Sequence, residues 1–155
     1  MIDITAALLS QHFDCLILVH PYIQILDRMS REIEGQDVVC FNVSKELSTA
    51  LLPISVSERC RFSQKWLIDS LTSFQSGPIL CSNPNLLFDP SLELDPLALF
   101  RQAARVIQLI VLWPGEYSAN NLSYAVPEHH HFRTWKVSDS LLQQPVVVIQ
   151  RIPTS

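Results

Sequence analysis

The sequence predicts an α/β domain, a mostly parallel sheet with helices on both faces. Three observations carry this expectation. Short, wholly apolar runs such as Cys15–Val19 and Leu109–Trp113 suit strands covered on both sides. Amphipathic stretches with helical spacing separate them, so strand and helix alternate four times along the chain. A helical crossover between successive strands returns the chain parallel to itself. The 155 residues fit one domain, 1–155, with no internal repeat or long linker.

Taken in order, Cys15–Val19 is the first strand and ends at His20-Pro21. Tyr22, Ile25, Leu26, Met29 and Ile33 then recur on one helical face, and Gly35 closes that helix. Val38–Val43 is a second strand. Ser44 is the expected cap of a short helix, Lys45–Leu52, stopped by Pro53. Ser57 is the expected cap of a longer helix with apolar positions at Phe62, Trp66, Ser70 or Leu71, and Phe74. Ile79–Ser82 is a third strand, followed by a loop rich in Pro and Asn. Asp95-Pro96 starts the next helix, with Asp as cap and Pro in the first turn, and the helix runs to about Arg105. Ile107–Trp113 is the fourth strand, ended by Pro114-Gly115. Leu122–Ala125 and the β-branched Val146–Ile152 complete the set.

Composition narrows the function. The chain is 48% apolar and 17% charged, too apolar for a disordered segment. A formal charge of −4 argues against a nucleic-acid coat or a polybasic membrane binder. No apolar run approaches the roughly 20 residues that span a bilayer. The N-terminus carries Asp3 and Asp14 and no basic cluster before its apolar stretch, which does not read as a signal peptide, and a cytoplasmic domain without membrane contact is expected. Cys15, Cys40, Cys60 and Cys81 form no CxxC pair and read as reduced thiols that act as small hydrophobes.

In an open parallel sheet, ligands bind at the carboxyl ends of the strands. A phosphate-binding turn after the first strand needs glycines, a lysine and a serine or threonine. Here the turn reads His20, Pro21, Tyr22, Ile23, Gln24, Ile25, Leu26, Asp27, with none of these. Asp27 would repel a phosphate, while Tyr22, Ile23 and Ile25 are expected to close the cleft with apolar bulk. The third strand lacks the carboxylate that would hold magnesium: it continues Ser82-Asn83-Pro84-Asn85.

Several segments carry a family likeness: Leu87-Phe88-Asp89-Pro90-Ser91-Leu92, Asp95-Pro96-Leu97, Trp113-Pro114-Gly115-Glu116-Tyr117, Leu122-Ser123-Tyr124-Ala125 and Pro127-Glu128-His129. Together with Asn42-Val43 and Glu46-Leu47-Ser48 they resemble BrxF, the small P-loop protein of type 3 BREX bacteriophage-defence systems, over most of residues 15–135. The resemblance implies a three-layer P-loop NTPase-like domain of RecA/ASCE type. Laid on this chain without gaps, the family's glycine-rich loop falls on His20–Asp27, its lysine on Leu26 and its hydroxyl on Asp27. The strand aspartate falls on Ser82 and the following acidic residue on Asn85. Both Walker motifs are therefore degenerate.

The resemblance implies a non-catalytic subunit with no cofactor. Its partners would be other BREX proteins: the large AAA-type ATPase, the alkaline-phosphatase-like PglZ protein or the DNA methyltransferase. DNA would be reached only indirectly, and a homodimer is as compatible as a monomer. The alternative is an atypical nucleotide-binding ATPase subunit whose site a partner completes. A third reading, a small hydrolase, uses His20 with Asp27 or Ser82.

Candidate contact residues are Phe88, Asp89, Arg101, Arg105, Trp113, Tyr124 and His129. Arg105 is a candidate arginine finger for a neighbouring ATPase, against the plainer reading of a charge at a helix C-terminus. Trp113 either fills the space of a nucleotide or caps the core. Trp66 and Trp135 read as core or interface anchors. The run Glu128-His129-His130-His131 reads as a solvated loop rather than a metal site, because neighbouring side chains point apart.

Overall fold

The computed structural model describes residues 15–35, 37–118, 121–124, 133–136 and 146–150. In chain order the elements are β1 (Cys15–His20), α1 (Ile23–Glu34), β2 (Val39–Asn42), α2 (Val43–Leu51) and α3 (Arg59–Thr72). They continue with β3 (Ile79–Ser82), α4 (Pro96–Ala104), β4 (Leu109–Ser118), β5 (Asn121–Tyr124), β6 (Arg133–Lys136) and β7 (Val146–Gln150). Five strands form a parallel sheet in the order β2-β3-β4-β1-β7. The α/β class and the parallel pairing follow the expectation.

Strand alternation sorts the core into two layers. On β1, Cys15, Ile17 and Val19 face one side with Ile79, Cys81, Leu109, Val111 and Trp113, under α2, α3 and α4. Leu16 and Leu18 face the other side with Leu80, Ile110 and Leu112, under α1. β1 is apolar from Cys15 to Val19 because it lies between β4 and β7 and is buried on both faces. β2 is the outer strand beside β3, and its residues are correspondingly half-exposed. α1 buries Leu26, Met29 and Ile33, a helical stripe, against the sheet.

Several expected boundaries move. Asn42, not Ser44, caps α2: its Oδ1 accepts the N–H of Lys45 at 3.1 Å. Ser57 caps nothing and lies instead in a 3₁₀ turn, Val56–Glu58, that leads into α3. The buried face of α3 is Ser63, Leu67 and Leu71, one residue on from the aromatic spacing. Phe62, Trp66 and Phe74 are half-buried on its flank, where Phe41 meets Trp66 at 5.8 Å and Phe74 at 6.0 Å. Asp95 caps α4 as expected, accepting from Ala98 N–H at 3.1 Å.

Ser63 is fully buried and its Oγ has no hydrogen-bond partner among the described residues. A buried hydroxyl without a partner costs free energy, and alanine is the better helix former. Ser63→Ala is therefore expected to stabilise the fold by about 1 kcal/mol. The check is a higher urea midpoint at unchanged slope.

The largest departure is β4. It does not end at Pro114-Gly115 but runs on to Ser118. Pro114 sits opposite His20 at the last position of the β1–β4 ladder, where its missing N–H forfeits little. From Gly115 onward β4 pairs antiparallel with β5, and β5 with β6. β6 lies in a stretch to which the sequence pattern assigns no element. His129 and the histidine run fall outside the described residues, as does the Trp135 side chain.

Candidate functional site

The carboxyl ends of the strands hold a cleft of about 400 Å³. One wall is a stripe of α1: Ile23, Leu26, Asp27, Ser30, Arg31 and Glu34. The other is formed by Asn42 at the end of β2, by Ser82 at the end of β3 and by Asn83, Pro84 and Asn85 after it, with Leu112 of β4 beneath. Three positions that the family resemblance matches to a phosphate loop (Ile23, Leu26, Asp27) thus face the same space as the two it matches to the acidic residues of the third strand (Ser82, Asn85). The volume lies in the range of small-molecule sites.

The turn from β1 to α1 explains what this cleft can hold. Only Pro21 and Tyr22 separate strand from helix, so most positions matched to a phosphate loop are already helical. Pro21 has no N–H. Tyr22 gives its N–H to His20 Nδ1 at 3.0 Å. The amides of Ile25 and Leu26 go to Tyr22 O at 3.1 and 3.3 Å. That leaves Ile23 and Gln24 to offer amides, where a phosphate loop offers a run of them. The cleft carries two carboxylates, Asp27 and Glu34, against one guanidinium, Arg31.

The expected apolar plug is not there. Tyr22 is 61% exposed and does not line the cleft, and Ile23, 52% exposed, lines it without filling it. Ile25 is half-buried against the α1-side core. His20 is the buried member of the turn, 1% exposed, with its Nδ1 committed to Tyr22 and its ring 5.4 Å from the Tyr22 ring. It therefore acts as a cap of the turn. A hydrolase using His20 with Asp27 or Ser82 has no accessible base in this arrangement.

The opposite wall is rigidly built. Ser44 donates its N–H to Asn83 O at 3.0 Å and its hydroxyl to the same oxygen at 2.5 Å. Ser44 Oγ also accepts from Leu86 N–H at 2.9 Å. Asn83 takes left-handed backbone, φ 48°, which Asn tolerates better than most residues. Its Nδ2 donates to Asn42 Oδ1 at 3.3 Å. Sequence reasoning missed Asn42, Ser44 and Asn83 as site residues. The signal available was an Asn-Val-Ser at a strand end and an Asn before Pro84, both patterns of turn and cap chemistry.

The likeness motifs also meet in space, but inside the protein. Phe88 and Trp113 are fully buried, which removes them as contact-surface candidates. Phe88 stacks on Tyr124 (centroids 4.1 Å apart, 5° between planes) and meets Trp113 edge-on at 4.8 Å and 84°. Trp113 Nε1 donates to Ser123 O at 2.8 Å. Trp113 thus caps the core and lies on the face away from the cleft. Asp89 accepts from Ser91 N–H and Oγ at 2.9 and 2.8 Å, closing the next 3₁₀ turn. Burial, with the Asp89 carboxylate second, raises the Tyr124 phenol above its ordinary pKa and keeps it neutral.

Arg101 is half-buried on α4, and Arg105 is exposed at its C-cap. α4 runs back from the β3 end to the start of β4, so Arg105 lies at the amino edge, away from the cleft. Among the described residues no three His, Cys, Asp or Glu come together as a metal site, and no helix is long and apolar enough to cross a membrane. None of the four cysteines is in a disulfide; Cys15 and Cys81 are buried, and burial pushes the Cys81 thiol well up. Comparison with protein-family models, with curated proteins and with solved structures returned no match.

Proposed function

We propose that this chain is a P-loop-like α/β domain without phosphate machinery, a non-catalytic subunit that works through protein–protein contacts. The observation that carries the reading is the β1–α1 turn: a proline, an amide taken by His20 and a carboxylate at Asp27 stand where a nucleotide needs free amides and a cation. The strand order β2-β3-β4-β1-β7 supports the P-loop frame, since it sets β4 between β1 and β3 and aims both sets of Walker positions at one cleft. With the BrxF likeness, the reading extends to a bacteriophage-defence assembly of BREX type, in the cytoplasm. The partner is its AAA-type ATPase, its PglZ-like protein or its methyltransferase, and DNA is touched only through them.

Tyr22 and Ile23, exposed at the start of α1, are apolar surface open to such a partner, while Leu52, Val56 and Val106 are exposed elsewhere on the described residues. Co-expression of the chain with each of the three proteins tests this. One of them is expected to elute with it as a stable complex, and Tyr22→Ser with Ile23→Ser is expected to weaken that complex at unchanged fold. Elution apart from all three defeats the assignment.

A further inference from the structure

Beyond that reading, and independently of it, we propose that the carboxyl-edge cleft is a binding site for a small uncharged heterocycle, of the class of free nucleobases and nucleosides. Three carboxamides, Asn42, Asn83 and Asn85, line one wall. Asn42 Oδ1 accepts from both Lys45 N–H and Asn83 Nδ2, which fixes that carboxamide and turns its Nδ2 to outside partners. Beside it, Asn83 keeps its Oδ1 and one N–H without partners among the described residues. Donor and acceptor therefore stand side by side, the pattern with which carboxamides read a base edge.

The wall holds this pattern before any ligand arrives. Asn83 is anchored through its carbonyl by Ser44, and it sits in left-handed backbone, a conformation that non-glycine residues adopt at a cost and that gathers at ligand clamps. The lining is largely polar, and Ile23, Leu26, Pro84 and Leu112 are its apolar members, where the edge of a ring can rest. Asp27 and Glu34 outnumber Arg31 at the same cleft, so the charge balance favours a neutral ligand over its phosphorylated forms.

The test is a titration of the whole chain, ¹⁵N-labelled, with adenosine, guanosine, cytidine, uridine, AMP and ATP. It follows the backbone and side-chain amides of Asn42, Asn83 and Asn85. At least one nucleoside is expected to saturate at submillimolar concentration, with its monophosphate about tenfold weaker or more. Asn83→Gly removes the carboxamide and keeps the left-handed backbone. It is expected to weaken binding about tenfold at an unchanged urea midpoint. Asp27→Asn is expected to narrow the gap between nucleoside and monophosphate. Three results overturn the proposal: no saturable shift with any nucleoside, affinity that survives Asn83→Gly, or a monophosphate that binds as well as its nucleoside. Absence of nucleoside binding leaves the interaction-subunit reading standing, whereas tight ATP binding removes both.

Discussion

Phe88→Ala is expected to destabilise the fold by about 4 kcal/mol, the upper range for truncating a buried aromatic. The ring is fully buried and held on two sides, flat against Tyr124 and edge-on to Trp113. Alanine leaves a cavity between three elements: the 3₁₀ turn after β3, the middle of β4 and the end of β5. Two aromatic contacts, each worth about 1 kcal/mol beyond area burial, are lost with it. Domains of this kind have about 5–15 kcal/mol in total, so the variant would be marginal. Urea unfolding checks the size of the effect. The double variant with Tyr124→Ala is expected to cost less than the sum of the two singles, because the stacked pair is lost only once.

Gly115→Val is the second large expected effect, about 3 kcal/mol of destabilisation. Valine is a good strand residue, so propensity alone would favour the change. Here a Cβ would run into the backbone carbonyl of Ser123 on β5. Neither backbone can give way without opening the β4–β5 ladder, in which Gly115 pairs with Tyr124, or breaking the Trp113 Nε1–Ser123 O bond. Urea unfolding gives the magnitude, and hydrogen exchange gives the place: protection is expected to fall first in β5 and β6. A neutral or stabilising outcome would mean that the hairpin does not approach β4 as described.

These two residues also show what the sequence could and could not disclose. Phe88, Trp113 and Tyr124 stand out as a set of motifs, yet nothing in their spacing says that the motifs meet in the core rather than on a surface. Burial depends on how β5 folds back, and that depends on Gly115. Pro114-Gly115 is locally a strand breaker. The strand continues because the proline falls where the β1 ladder runs out and the glycine admits a neighbouring backbone. β1 and α4 were legible for the opposite reason. An unbroken apolar run has one place to go, the middle of a sheet, and Asp95-Pro96 states its own cap. α3 misled by one residue. Its large aromatics sit on the flank with Phe41, and small Ser63 faces the core. The cleft was half legible. Its missing phosphate chemistry is plain at His20–Asp27, but the carboxamide wall needs β2 and β3 side by side, a register that alternation alone does not specify.

The central claim is that the turn leaving β1 has no grip on a triphosphate. Calorimetric titration of the isolated chain with ATP and magnesium tests it most directly. Flat heats at millimolar nucleotide are the predicted result. A saturable isotherm near micromolar affinity would contradict the account and make this chain a nucleotide-binding subunit.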